Sequence, residues 1–135
     1  MTAADAIGTG FEGTYAYRHL TPNQRLKRDS LVNKLAPGDT EEERLAWGRQ
    51  LFATLPPAEQ ALVMLMRVLV SDASILILDE VFAGMDDTMI NRTRDYLQNE
   101  VATDKAVIFV THWEHEVPWS HSQMFVIEDG IGKAQ

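Results

Sequence analysis

The chain has 135 residues, 45% of them hydrophobic, no cysteine, and a formal net charge of −8. That length supports one modest core, and the acidic balance argues against a nucleic-acid partner, which requires a basic footprint for phosphates. Without cysteine there is neither a disulfide nor a thiolate metal site, a count that fits a reducing compartment.

Residues 1–13 are small and Gly-rich and read as a loop or short strand. Thr21-Pro22-Asn23-Gln24 opens a helix: Thr21 is the N-cap, Pro22 takes the first helical position, and Gln24 completes a capping box. That helix runs to about Leu35 and ends at Ala36-Pro37-Gly38. Thr40-Glu41-Glu42-Glu43 is a second capping box, with acids at the positive end of a helix that continues toward Phe52. Pro56-Pro57 breaks the chain, and a third helix over 58–70 is apolar nearly all round, which predicts burial. Its apolar part, residues 61–70, is interrupted by Arg67 and is too short to span a bilayer, so no direct membrane span is expected. The N-terminus lacks the basic-then-apolar pattern of a secretory signal, and the first ten residues contain no Arg. The expectation is a soluble intracellular protein, cytoplasmic or mitochondrial and not secreted.

The grammar then changes. Residues 75–78 read as a buried strand, Asp86-Asp87 cap an amphipathic helix with Ile90, Leu97 and Val101 inward, and residues 106–110 form a second apolar strand ending at Thr111-His112. A third strand covers 124–127 and closes at the turn Glu128-Asp129-Gly130. Helices come first, then strand, helix, strand, loop and strand. The predicted class is α/β: a helical subdomain over 1–70, then a partial α/β sheet over 71–135.

The stretch Ser74-Ile-Leu-Ile-Leu-Asp79-Glu80 delivers two acids to a strand end. Asp79 there can hold a Mg²⁺ ion through its water shell, and Glu80 can orient or deprotonate a water for attack on a γ-phosphate; the competing reading is a strand end whose acids merely face solvent. Upstream lies "LPPAEQALVMLMRVLV" from Leu55; downstream, "AGMD" ends at Asp86 and "VTH" at His112. In this order and spacing, the motifs resemble the second half of an ABC ATPase nucleotide-binding domain: signature motif, buried helix, Walker B, D-loop and H-loop. The resemblance covers about 55–130. It implies a P-loop NTPase (RecA-like) sheet lacking the Walker A strand, with Asp79 as the magnesium-side acid and Glu80 as general base. It makes Asp86 the D-loop acid facing a partner domain and His112 the residue contacting the γ-phosphate. Leu55, Ala58 and Glu59 fall on the signature, and Arg67 and Leu69 on the helix that follows it.

Three departures stand out. The signature reads Leu55-Pro56-Pro57-Ala58-Glu59, so two N–H donors and a hydroxyl are gone and phosphate should be gripped poorly. Val81 replaces the Walker B proline, and Ala83 the D-loop serine. No G-x-x-x-x-G-K-[ST] phosphate loop occurs. "GTGFEG" at 8–13 has the spacing of a dinucleotide loop but neither the strand before it nor the acid after it, and "GIGK" at 130–133 is too short. The resemblance implies that the chain begins after the Walker A strand, with 6–25 similar to the entry of the helical subdomain in soluble tandem fungal-type ABC ATPases. Mg²⁺ and ATP are then cofactors of the parent protein, with none expected on this chain alone. The expected partner is a second copy or a Walker A-bearing ABC chain. His112, His115, Glu116 and His121 also invite a zinc reading, but they fit neither H-E-x-x-H nor its inverse. Without its central strand, the sheet should leave 107–110 with unpaired backbone groups, to be filled by a second copy or by a rearranged 1–13 segment.

Overall fold

The structure is a computed structural model that describes residues 1–11, 19–101, 104–120 and 123–134. Five α-helices are described: α1 (Ala3–Gly8), α2 (Pro22–Leu35), α3 (Glu41–Gly48), α4 (Pro57–Leu69) and α5 (Asp87–Glu100). Four strands join them: β1 (Ile75–Asp79), β2 (Ala106–Val110), β3 (Phe125–Glu128) and β4 (Ile131–Ala134). The class is mixed α/β, with helices ahead of small sheets.

Both expected capping boxes are present. Gln24 N–H donates to Thr21 Oγ1 at 3.2 Å and Glu43 N–H to Thr40 Oγ1 at 3.1 Å, while each N3 side chain accepts from its cap. A third capping box corrects the expectation of loop or strand at the N-terminus. Thr2 and Asp5 close it, with Asp5 N–H donating to Thr2 Oγ1 at 3.1 Å, and residues 3–8 coil into α1. Ala3, Ala6 and Ile7 recur at helical spacing and are buried, so packing against α2 and α4 holds a helix too short to form alone. The first residues are tied down as well: Ala3 N–H donates to Gln50 O at 2.9 Å and Phe52 N–H to Met1 O at 3.0 Å. Residues 1–11 therefore do not fill a sheet edge. Helix α3 stops at Gly48 rather than reaching Phe52, where a separate 3₁₀ turn (Phe52–Thr54) leads to Leu55.

One core cluster draws Ile7, Val32, Leu62, Val63 and Met66 from the helices together with Leu78, Phe82 and Leu97 from the C-terminal half. Helix α4 is not buried all round: Met64 is 45% exposed among the described residues. In α5, Leu97 is fully buried, and Ile90 packs at the edge of the core with Val101, the residue that caps the helix.

β1 and β2 pair in parallel, Ile75 opposite Ala106 through Asp79 opposite Val110. The expected buried strand is buried on one face only. Leu76 and Leu78 point into the core, whereas Ile75, Ile77, Ile108 and Val110 lie exposed on the other face. Ala106 N–H donates to Ser74 O, and Val110 O accepts from Glu80 N–H, both at 2.8 Å. By the two-residue period, Ala106, Ile108 and Val110 turn their polar groups to β1, and Val107 and Phe109 turn theirs to the open edge. β3 does not join this sheet. It pairs antiparallel with β4, a strand absent from the sequence reading, through the turn Asp129-Gly130. Both turn residues have positive φ, 49° and 77°, which marks the tight hairpin turn that Asp-Gly favours.

A polar clamp ties α2 to α5. Lys34 Nζ donates to Glu100 Oε2 at 2.9 Å and sits 5.9 Å from the Tyr96 ring centroid. The hydrogen bond to Glu100 raises the Lys34 pKa, while burial raises that of Tyr96 despite the opposing charge of Lys34. Both groups hold their protons more tightly folded than unfolded. Their contribution is complete below about pH 10 and is lost as pH rises through the raised folded values. Denaturant midpoints measured across the alkaline range should fall. Lys34 and Glu100 are nearly half exposed and screened, so Tyr96→Phe should flatten the decline more than Lys34→Met.

Candidate functional site

Parallel pairing brings the carboxyl ends of β1 and β2 side by side, the edge of an α/β sheet where ligands bind. Asp79 is the last residue of β1 and is exposed, on the face it shares with Ile75 and Ile77. Glu80 follows with φ 48°, a left-handed backbone that a non-glycine residue adopts at a cost of about 1–3 kcal/mol. Its N–H is held by Val110 O, which fixes the chain at this bend. From the next strand, His112 Nε2 reaches Glu80 Oε1 at 2.5 Å. The imidazole is 81% exposed and the carboxylate 46%, so solvent screens the pair and it adds little stability. What it fixes is the relative direction of an acid and an imidazole at the mouth of the sheet.

The turn 81–84 then carries the chain to Asp86. Gly84 has φ 78°, which glycine adopts freely, and Phe82 and Met85 anchor the turn in the core. Asp86 Oδ1 accepts from Met89 N–H at 2.8 Å, capping α5. The structure places Asp79 and the Glu80–His112 pair at the sheet end, with Asp86 after the turn that follows.

Leu55, Ala58 and Glu59 form a separate region at the start of α4; among the described residues no hydrogen bond or ion pair links them to Asp79, Glu80 or His112. Leu55 is buried, Pro56 is the N-cap with no side-chain cap bond, and Pro57 is the first helical residue. Glu59 Oε2 accepts from Trp47 Nε1–H at 2.7 Å. That contact crosses from α4 to the buried Trp47 of α3, and no local sequence signal announces it. Two other pairings missed from sequence are Arg67 Nε–H to Thr9 Oγ1 at 2.8 Å and Thr111 Oγ1–H to Glu116 Oε2 at 2.5 Å. The glycines of "GTGFEG" also acquire a reason. A Cβ at Gly10 would lie 1.9 Å from Arg67 O, so this glycine allows α1 to close against α4; Glu12 and Gly13 lie outside the described residues. Of the four residues in the zinc reading, His112 faces Glu80, His115 lies against Trp113, and Glu116 serves Thr111. His121 lies outside the described residues, among which no group of three or more His, Asp or Glu side chains converges on one point. Likewise, among the described residues no helix is long and apolar enough to cross a membrane.

A parallel strand–helix–strand unit with acids and an imidazole at its carboxyl end, behind a layer of helices, has the class of a partial P-loop NTPase-like domain. No protein-family model matches the chain. It is 20% identical over 129 residues to an uncharacterized ABC transporter ATP-binding protein of Schizosaccharomyces pombe, covering 96% of this chain and 25% of that protein. It is 28% identical over 135 residues to an uncharacterized ABC transporter ATP-binding protein of Saccharomyces cerevisiae, covering 96% and 24%. A lactococcin transport/processing ATP-binding protein of Lactococcus lactis is 35% identical over 95 residues, covering 68% and 13%. The chain is a relative of the ABC ATP-binding proteins, similar to the C-terminal half of their nucleotide-binding domain. It spans about a quarter of the length of the two yeast relatives.

Two substitutions test the local chemistry. Glu59→Ala leaves the buried Trp47 N–H without an acceptor and should lower unfolding free energy by about 1–3 kcal/mol. Glu80→Val places a β-branched residue at positive φ and should destabilise by about 1 kcal/mol or more relative to Glu80→Gln. Equilibrium denaturation of the three variants measures both.

Proposed function

We propose that this chain supplies the Walker B, D-loop and H-loop side of an ABC-type ATP site and does not hydrolyse ATP by itself. The carrying observation is the contact of Glu80 with His112 at the carboxyl ends of two adjacent parallel strands. In this reading, Asp79 takes the Mg²⁺ side and Glu80 aligns and deprotonates the attacking water. His112 meets the γ-phosphate, and Asp86 faces the partner across the D-loop. The sheet-end donor set suits a hydrated magnesium ion and a nucleophilic water. The rest of the site does not come from this chain: the 135 residues contain no G-x-x-x-x-G-K-[ST] to cradle the β- and γ-phosphates.

At the start of α4, Pro56 and Pro57 offer no N–H, and Glu59 is engaged by Trp47. We read Leu55–Glu59 as a structural helix start that keeps the position of a signature motif with little grip on phosphate. Replacing Pro56 by Ser and Pro57 by Gly in an intact parent should strengthen ATP-dependent pairing.

A second, non-enzymatic reading rests on the sheet itself. Val107 and Phe109 direct their backbone groups to an edge with which no strand pairs among the described residues, beside an exposed face of Ile75, Ile77, Ile108 and Val110. Such an edge is a template for another strand. The occupant in this reading is a second copy or a Walker A-bearing ABC chain, in an intracellular, soluble setting.

Mg-ATP titrated into the chain alone should leave Trp113 fluorescence unchanged at micromolar nucleotide, with phosphate release at background. Saturable quenching together with turnover abolished by Glu80→Gln would contradict the first reading. Sedimentation at micromolar protein should show a dimer or larger species; a monomer at every concentration would remove the self-pairing variant of the second.

A further inference from the structure

His112 is held by little of its own. Its ring is 81% exposed, and Glu80 is its one polar side-chain partner among the described residues. The direction of the imidazole therefore depends on the backbone on either side of it, and one hydroxyl links those two sides. Thr111 Oγ1–H donates to Glu116 Oε2 at 2.5 Å, and the same oxygen accepts from Trp113 N–H at 3.0 Å. The residue before His112 and the residue after it are thus joined through one atom. A hydroxyl bonded to an ionised carboxylate at this distance lies in the short, charge-assisted range.

Glu116 returns to Thr111 because residues 114–116 form a 3₁₀ turn, closed by Glu116 N–H to Trp113 O at 3.0 Å and Val117 N–H to Glu114 O at 3.2 Å. The far end of the loop is anchored on the body of the protein. Trp119 meets Phe109 edge-on at 6.3 Å, and Phe109 packs on Phe82 at 5.6 Å. Glu116 therefore stands on a fixed base, while Thr111 and His112 stand at a strand end that would otherwise fray.

We propose that Glu116 is a positioning residue for His112: acting through the Thr111 hydroxyl, it sets the turn that aims the imidazole at Glu80. The functional meaning rests on the ATP-site reading of Glu80 and His112. The positioning itself needs no nucleotide and can be measured apart from that reading.

The experiment is proton NMR of the whole chain without nucleotide. It follows the contact between the His112 ring and the Glu80 side chain, with the Phe82–Phe109–Trp119 ring contacts as the check on folding. Glu116→Ala should lower the ratio of paired to unpaired His112 about fivefold, the weight of one net hydrogen bond, with the ring contacts unchanged. Thr111→Val, which cuts the same bond from its donor end, should do likewise, and Thr111→Ser, which keeps the hydroxyl, should retain the wild-type contact. If Glu116→Ala also loses the ring contacts, the Thr111 variants decide: loss in Val with retention in Ser supports the assignment. A His112–Glu80 contact unchanged in Glu116→Ala with the ring contacts intact, or the same result in both Thr111 variants, overturns it. Either outcome leaves the ATP-site reading to its own nucleotide titration.

Discussion

The pairing of β1 with β2 is the constraint on which the rest of the molecule depends. Parallel strands bring like ends together, so Asp79, Glu80, Thr111 and His112 share one edge although they are distant in sequence. The bond from Glu80 N–H to Val110 O extends this ladder one residue past β1 and holds the left-handed turn at Glu80. The pairing leans on one face alone: Leu76 and Leu78 pack inward, and the tilted and edge-on ring contacts of Phe82, Phe109 and Trp119 support the strand ends.

The two halves of the chain carry unequal chemistry. At the sheet end, Glu80 and His112 are in contact, next to the exposed Asp79. At the start of α4, Pro56-Pro57 sets the backbone and Glu59 accepts from the indole N–H of Trp47. A carboxylate that satisfies a buried N–H is well placed to hold α3 against α4. The network of Thr9, Gly10 and Arg67 does the same between α1 and α4. In these helices, polar residues join elements.

Where the signal was local, the sequence was legible. Thr21 with Gln24 and Thr40 with Glu43 announce their helices within four residues, and Asp86 announces α5. Thr2 with Asp5 is the same device, disguised by the glycines that follow and by Asp in place of Glu or Gln. The run Ile75–Leu78 reads the same whether one face or both are covered, so its half-exposure was not legible. The last strand, Ile131–Ala134, has no alternation to betray it; only Asp129-Gly130 hinted at a hairpin. At the candidate site, motif order singled out Glu80 and His112, but their direct contact had no signal in the residues between them. The pairs Trp47–Glu59 and Thr111–Glu116 depend on tertiary placement or on an irregular turn, for which the sequence carries no periodic signal.

Residue-resolved amide hydrogen exchange of β2, measured as a function of protein concentration, tests the central claim that, among the described residues, β2 is paired with β1 on one side and with no strand on the other. Ile108 and Val110 should be protected at every concentration, because their N–H groups face β1. Val107 and Phe109 should exchange freely in dilute solution and gain protection only as the chain associates. Protection of Val107 and Phe109 equal to that of Ile108 and Val110 at all dilutions would contradict the account, since it would mean that the edge is already filled within the single chain.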